Sequence, residues 1–328
     1  MRTAMAIGYS AVMLAVVTGP ARAQTYDSGS TGADGAFTLP NTSCPTSPNC
    51  VVTLPASGEL HYTTVNIPSP WVVKFTKNAT NTPVVIRAQG NVTIAGTIDV
   101  SGAVGANGVN PFTILASDAG PGGPGGFNGG SGANGIVSTT GGVGVGPGGG
   151  APGFVSGGNG QSAGGAGFAL AGQSATSGGA GGVAYGTASL LPIVGGSGGG
   201  GGGAVFGTSA GGGGGGGGAL VIASSGTITL GASGVTGTIL AKGGNGGTES
   251  GCCPTAGRGG GGSGGAVRLV ATTITSTGSN GQINVSGGLG GGVAGFAVGS
   301  RGRIRIVPAH GIDLCSWGDH PRAPALRV

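Results

Sequence analysis

The chain has 328 residues, 85 of them glycine, with 6% charged and 4% aromatic side chains and a formal net charge of +5. So few charges exclude a nucleic-acid groove, which needs a dense basic stripe. They also argue against an ordinary disordered chain, which is charge-rich, and the length allows one or two domains.

Residues 1–23 carry the pattern of an export signal. Arg2 gives a short basic start, and Ala4 to Val17 is apolar apart from Gly8, Tyr9 and Ser10. Gly19 and Pro20 break any helix, and Ala21-Arg22-Ala23 fits a small-x-small cleavage site. A membrane anchor is the competing reading, but the apolar stretch is shorter than the roughly 20 residues a bilayer needs. Cleavage removes Arg2 and Arg22 and lowers the formal charge from +5 to +3. The expected location is secreted or cell-surface, with no transmembrane segment left after signal removal.

Residues 24–50 read as an irregular leader rich in Ser, Thr, Gly, Asn and Pro. Cys44 and Cys50 close it and suit a small disulfide loop. Cys252, Cys253 and Cys315 are the remaining disulfide candidates. A bond from Cys252 or Cys253 to Cys315 would tie the last glycine loop to the C-terminal tail, and one cysteine is left over. His61, His310 and His320 stand apart from the cysteine pairs, so neither a metal site nor a cofactor is expected.

Residues 51–102 hold an N-terminal cap and the first repeat. Val51 to Leu54, His61 to Ile67 and Trp71 to Thr76 each read as a strand, punctuated by Ser57-Gly58, Pro68, Pro70 and Asn78. Trp71 and Phe75 have the size to plug an open end of a stacked core. An internal repeat begins at Val84. Its first copy is Val84 to Ala88, Val92 to Ile94 and Thr97 to Gly102. The second is Ala219 to Ala223, Thr227 to Leu230 and Thr238 to Gly243. The third is Ala266 to Ala271, Thr273 to Thr275 and Gln282 to Gly287, and a fragment follows at Gly302 to Val307. Arg87 and Arg268 occupy nearly the same slot and read as solvent-facing.

Alternation such as Thr-Ile-Asp-Val puts every second apolar side chain on one face. One three-run unit cannot bury that face alone, whereas stacking units in parallel does so and confines unpaired edges to the two ends. The expected fold is all-β, a parallel β-helix or β-solenoid with a large glycine-rich insertion at 103–218. Further repeats with glycine loops span 219–307, and a tail covers 308–328. Each glycine loop leaves just after the third β run, so the loops emerge on one side. The insertion carries sparse aromatics: Phe112, Phe127, Phe154, Phe168, Tyr185 and Phe206. Three states remain open for it: floppy chain, irregular coil, or an ordered polyglycine-II bundle of close-packed polyproline-II-like segments with three residues per turn. Strict Gly-x-y periodicity is absent, which excludes a collagen triple helix.

Gly90 to Gly102, read as Gly-Asn-Val-Thr-Ile-Ala-Gly-Thr-Ile-Asp-Val-Ser-Gly, resembles the repeats of secreted β-helical adhesins of the filamentous-haemagglutinin and autotransporter-passenger type. Gly264 to Val270 resembles glycine-rich exported bacterial proteins. The glycine runs at 198–203 and 211–218 look like the polyglycine-II bundles at the tips of some phage tail-fibre adhesins. The resemblance implies a surface or adhesive role and supplies no functional residue.

No catalytic constellation stands out. Lys242 precedes Gly243-Gly244 without a helix, so no phosphate loop is expected, and Ser30, Ser197 and Ser263 lack a neighbouring base. A carbohydrate-active β-helix enzyme would need paired carboxylates. Asp99 is the acid inside a β run, facing outward if Ile98 and Val100 point in, while Asp118 and Glu249 lie in glycine loops. The favoured expectation is a non-catalytic structural or adhesive protein whose glycine-rich loops meet glycans or cell-surface and matrix components. The alternatives are that enzyme, a lyase or hydrolase, and a purely structural matrix or envelope component.

Overall fold

A computed structural model describes residues 25–45, 48–109, 114–251, 256–276, 282–292, 296–309 and 326–327. The export pattern, Cys252, Cys253, Cys315, His310, His320 and Phe112 lie outside the described residues.

The β-branched runs form strands. They are β1 (Phe37–Thr38), β2 (Asn49–Thr53), β3 (Glu59–Tyr62), β4 (Val65–Ile67), β5 (Val72–Thr76), β6 (Val84–Ala88), β7 (Val92–Ile94) and β8 (Thr97–Asp99). Within 100–218 the described strands are only two residues long: β9 (Val155–Ser156), β10 (Asn159–Gly160) and β11 (Thr208–Ser209). Then come β12 (Ala219–Leu230), β13 (Thr238–Leu240), β14 (Ser250–Gly251), β15 (Ala266–Ser276), β16 (Gln282–Asn284), β17 (Arg303–Pro308) and β18 (Leu326–Arg327). The protein is all-β, with parallel sheets. No helix among the described residues is long and apolar enough to cross a membrane.

Two sheets face each other. One runs β1-β4-β7-β12-β15-β17, with β3 and β6 joining it through β12, and the other runs β2-β5-β8-β13-β16-β18. The repeat copies lie side by side in register. Val84, Leu220, Val267 and Ile304 form one inward file, and Ile86, Ile222, Leu269 and Ile306 the next. On the opposite sheet Cys50, Val73, Ile98, Ile239 and Ile283 line up in the same way. These files fill one continuous core. Each fully buried Ile or Leu in it contributes about 1.5–3 kcal/mol through removal from water.

The structure departs from the sequence expectations in three details. His61 to Ile67 is not one strand, because the chain turns a corner between β3 and β4. β1 and β2 fall inside or at the edge of the stretch read as irregular, and β2 pairs outside β5. Trp71 and Phe75 therefore sit one layer inside the end of the stack, while Phe37, Leu39, Val52 and the Cys44–Cys50 disulfide form the outer layer. Arg87 and Arg268 are not in one slot: Arg87 pairs with Ala223, and Arg268 with Val221. Nor is Arg87 free in solvent, since its guanidinium donates to Ser28 O at 2.8 Å and to Glu59 at 3.2 Å.

The glycine-rich stretches leave after β8, β13 and β16 and return into β12, β15 and β17, so they project from one side. They are ordered by backbone hydrogen bonds into four rows. The first holds 101–108, 241–248 and 285–290, and the second 118–124, 211–218, 257–265 and 297–302. The third holds 126–134, 195–203, 161–168 and 171–175, and the fourth 140–146, 148–153 and 178–183.

Segment 211–218 reveals the packing rule. Gly211, Gly214 and Gly217 donate to segment 257–265; Gly212 and Gly215 donate to 101–108; Gly213 and Gly216 donate to 126–134. Its carbonyls accept from three other segments, 195–203, 241–248 and 118–124. Bond direction thus turns through one cycle every three residues, and the segment touches six neighbours. Segments 195–203, 257–265 and 161–168 are surrounded in the same way. A Cβ on Gly214 would overlap Gly244 O, one on Gly215 would overlap Pro121 O, and one on Gly216 would overlap Gly196 O. All three directions are closed, so this segment admits only glycine. At the rim one direction in three faces water, and there side chains appear: Val104 and Asn107 on the first segment, Lys242, Asn245 and Thr248 on its neighbour.

Candidate functional site

The carboxylates singled out from sequence lie on separate parts of the molecule. Asp99 points outward from β8 while Ile98 and Val100 point in, and it faces Lys74 Nζ at 3.7 Å. Glu249, at the far end of the bundle, takes a two-pronged contact from Arg258 at 2.7 and 3.0 Å. Burial of Glu249 works against its charge, but the bonds from Arg258 and from its own backbone outweigh this and hold the carboxyl below its usual value. Asp118 is exposed in the glycine region.

One cluster does form, and no sequence pattern pointed to it. Asp34, Glu59, His61 and Arg87 meet where the leader crosses the sheet. Arg87, first by hydrogen bonding, holds the Glu59 carboxyl below its ordinary range. His61 Nε2 stands 3.3 Å from Glu59, and its Nδ1 accepts the Thr31 N–H at 3.2 Å. Asp34 accepts the His61 N–H at 2.6 Å. Arg87, His61 and Asp34 link this cluster to the leader, whose Ser28 and Ser30 hydroxyls bond Ala88 O and Tyr62 O. Tyr26 N and Ser28 N reach on to Thr272 and Ser225, so the leader straps successive strands together. The chemistry is that of a clasp. Among the described residues no group of three or more His, Cys, Asp or Glu side chains could hold a metal ion.

Of the disulfide candidates, Cys44 and Cys50 are bonded, with Cα atoms 5.3 Å apart.

Two pairs of aromatics in the glycine region have different roles. Phe168 and Tyr185 pack edge to face at 4.7 Å and, with Leu190, Ala219 and Ala266, seal the joint between bundle and sheet. The Tyr185 hydroxyl donates to Gly195 O at 2.6 Å and takes a bond from Ser197, whose N–H donates to Ser263 Oγ. Ser197, Ser263 and Phe168 are fully buried here, and Tyr185 is half-buried against them. Of the sparse aromatics of the insertion, Phe168 and Tyr185 therefore serve the joint and are not part of a binding face.

Phe154 and Phe206 lie at the opposite end, on loops that link the segments away from the sheets. Ile114, Leu115, Ile136 and Val137 accompany them. All six are exposed, Phe206 to 79% and Ile114 to 74%. The loops are tied to one another and to the bundle. Asn134 donates to Leu115 O at 2.8 Å, the buried Ser117 hydroxyl to Ala210 O at 2.6 Å, and β11 pairs with β14. Gln161 N–H closes the β9–β10 hairpin onto Phe154 O at 2.7 Å. The result is a set of large apolar side chains presented to solvent on a braced support.

No family model matches this chain, and no curated protein or solved structure is detectably similar to it. Exposed apolar side chains on loops that a rigid scaffold positions suit recognition of a surface. The sequence named Phe154 and Phe206 but missed Ile114, Leu115, Ile136 and Val137. The available signal was a loss of glycine: these residues sit where the glycine blocks give way to apolar pairs.

Proposed function

We propose that this is a secreted or cell-surface adhesive protein without catalysis. In this reading a parallel β-solenoid carries a polyglycine-II bundle, and the bundle's far-end loops contact a glycan or another cell-surface component. Three-residue cycling of the hydrogen bonds supports the polyglycine-II part, and in-register stacking of the repeat copies supports the solenoid. The Cys44–Cys50 disulfide is compatible with an extracytoplasmic location. The observation that carries the function is the exposed apolar set at the tip, built on a scaffold that holds it rigid.

The test is retention on whole cells and on a glycan array, with the protein and its Phe154→Ala/Phe206→Ala variant. The proposal expects binding by the protein and at least a tenfold loss in the variant, as for removal of aromatic anchors worth about 1.4 kcal/mol or more. Equal binding by both removes the tip from the function. Binding to nothing, with retention in an insoluble matrix, favours a purely structural component, a reading that the closely bonded bundle interior also supports.

A further inference from the structure

We propose that Asn159 is a site of spontaneous deamidation, the one Asn-Gly step among the described residues that the fold leaves open to this chemistry. The inference rests on local geometry and not on the adhesive reading.

Five described Asn-Gly steps begin at Asn107, Asn128, Asn134, Asn159 and Asn245. The reaction needs the backbone nitrogen of the glycine to lose its proton and attack the asparagine Cγ. A five-membered succinimide forms and ammonia leaves. Water then opens the ring at either carbonyl to give aspartate or isoaspartate. Two things stop it: a glycine N–H held in a hydrogen bond, and a side-chain amide held away from that nitrogen.

Four of the five steps are blocked on both counts. Gly108, Gly129, Gly135 and Gly246 donate their N–H groups to Thr248, Gly120, Thr208 and Leu289 carbonyls at 2.7–3.1 Å. The matching asparagine oxygens accept from Thr248, Gly122, Ile136 and Leu289 N–H groups at 2.9–3.0 Å. The bundle that admits only glycine at these positions also ties up their nitrogens.

Asn159 differs. It closes the two-residue turn of the β9–β10 hairpin, where Gly157 and Gly158 have φ of 58° and 77° and stand in open space. Ser156 pairs with Asn159 and Val155 with Gly160. Bonded and non-bonded pairs alternate in an antiparallel ladder. Ser156–Asn159 closes the turn, and Gln161 N–H bonds Phe154 O. Val155–Gly160 is therefore the non-bonded pair, and the Gly160 N–H faces solvent. The Asn159 side chain is exposed and reaches only Gly157 O, at 3.3 Å, within the same turn. Conversion would place a negative charge, and in the isoaspartate form an extra backbone methylene, next to Phe154 in the apolar tip.

The experiment holds the folded full chain in mildly alkaline buffer and follows each Asn-Gly peptide by mass spectrometry. A parallel sample is held in denaturant. The proposal expects Asn159 to convert at least about tenfold faster than Asn107, Asn128 or Asn245 in the folded protein, since closed structure protects against such attack. The difference should vanish in denaturant, and the Asn159→Gln variant should lose the early product. Equal native rates at all the steps, or an intact Asn159 in folded protein beside conversion in denaturant, would overturn it.

Discussion

The sheets and the glycine bundle solve the same problem with opposite means. In the sheets the backbone bonds sideways to strands on either side, and the interior is filled by side chains such as Ile98, Ile239 and Leu269. In the bundle the backbone itself is the interior. Segment 211–218 bonds to six neighbours and leaves no room for a Cβ. Glycine is normally a poor residue to order, since fixing one backbone unit costs about 1–2 kcal/mol. Here each glycine gives and receives a hydrogen bond, each worth about 0.5–1.5 kcal/mol. Close approach adds weak Cα–H···O contacts. Glycine acts as a core residue, and the two regions should respond to mutation with opposite sensitivities to side-chain size.

The largest effect is expected in the sheets. Ile239 is fully buried in the file between Ile98 and Ile283. Ile239→Ala leaves a cavity and should cost about 2–5 kcal/mol in a denaturant titration. The comparison breaks if the loss is below about 0.5 kcal/mol, the range of an exposed site.

In the bundle the damaging change is an addition. Gly214→Ala inserts a methyl group against Gly244 O, part of a backbone that its own bonds hold in place. Overpacking of this kind should cost about 1–3 kcal/mol. Amide exchange locates the damage: protection should fall along 211–218 and 241–248 before it falls in β12.

How much of this could be read beforehand depends on the region. The strands were legible because β-branched runs recur in the same order, and register followed from matching the copies to within one or two residues. The bundle was legible in outline, since glycine density in each block counts the closed directions: three in three at 211–218, two in three at 243–248. What could not be read was which segments meet. Tyr185 and Ser263 are far apart in sequence, and only the row arrangement brings both to Ser197. Asp34, Glu59, His61 and Arg87 were equally hidden, because the leader first crosses the strands at 26–30 and only then runs along them at 34–38.

The joint between the two regions gives a pH test. Burial pushes the Tyr185 hydroxyl up to about 12, with the Ser197 bond opposing, and burial first and Asp34 second push Tyr62 up to about 12. An unfolded tyrosine ionises near 10. Between these values the unfolded chain has released protons that the folded chain still holds, so stability falls as pH rises. Full stability is expected below pH about 10. Above it the loss should approach about 1 kcal/mol per pH unit for each tyrosine. Tyr185→Phe should flatten part of that slope while costing about 1 kcal/mol at neutral pH through its lost bonds to Gly195 and Ser197. An unchanged alkaline slope in the variant would mean that the joint opens before Tyr185 ionises.

The smallest effect is the most discriminating, because it compares adjacent residues. Val104 and Gly105 lie on one rim segment of the bundle. The Val104 side chain faces water, while a Cβ on Gly105 would overlap Gly212 O. A sheet-like view, in which apolar bulk stabilises, predicts that Val104→Ala is the costlier change. The packing rule predicts the reverse: Val104→Ala within about 0.5 kcal/mol of the parent, Gly105→Ala costing about 1–3 kcal/mol. Intrinsic preferences cannot produce this ordering, because replacing glycine by alanine on its own reduces the freedom of the unfolded chain and stabilises. Denaturation midpoints that place Val104→Ala below Gly105→Ala would mean that the rim is held by its side chains and that the close-packed backbone is not the source of the bundle's stability.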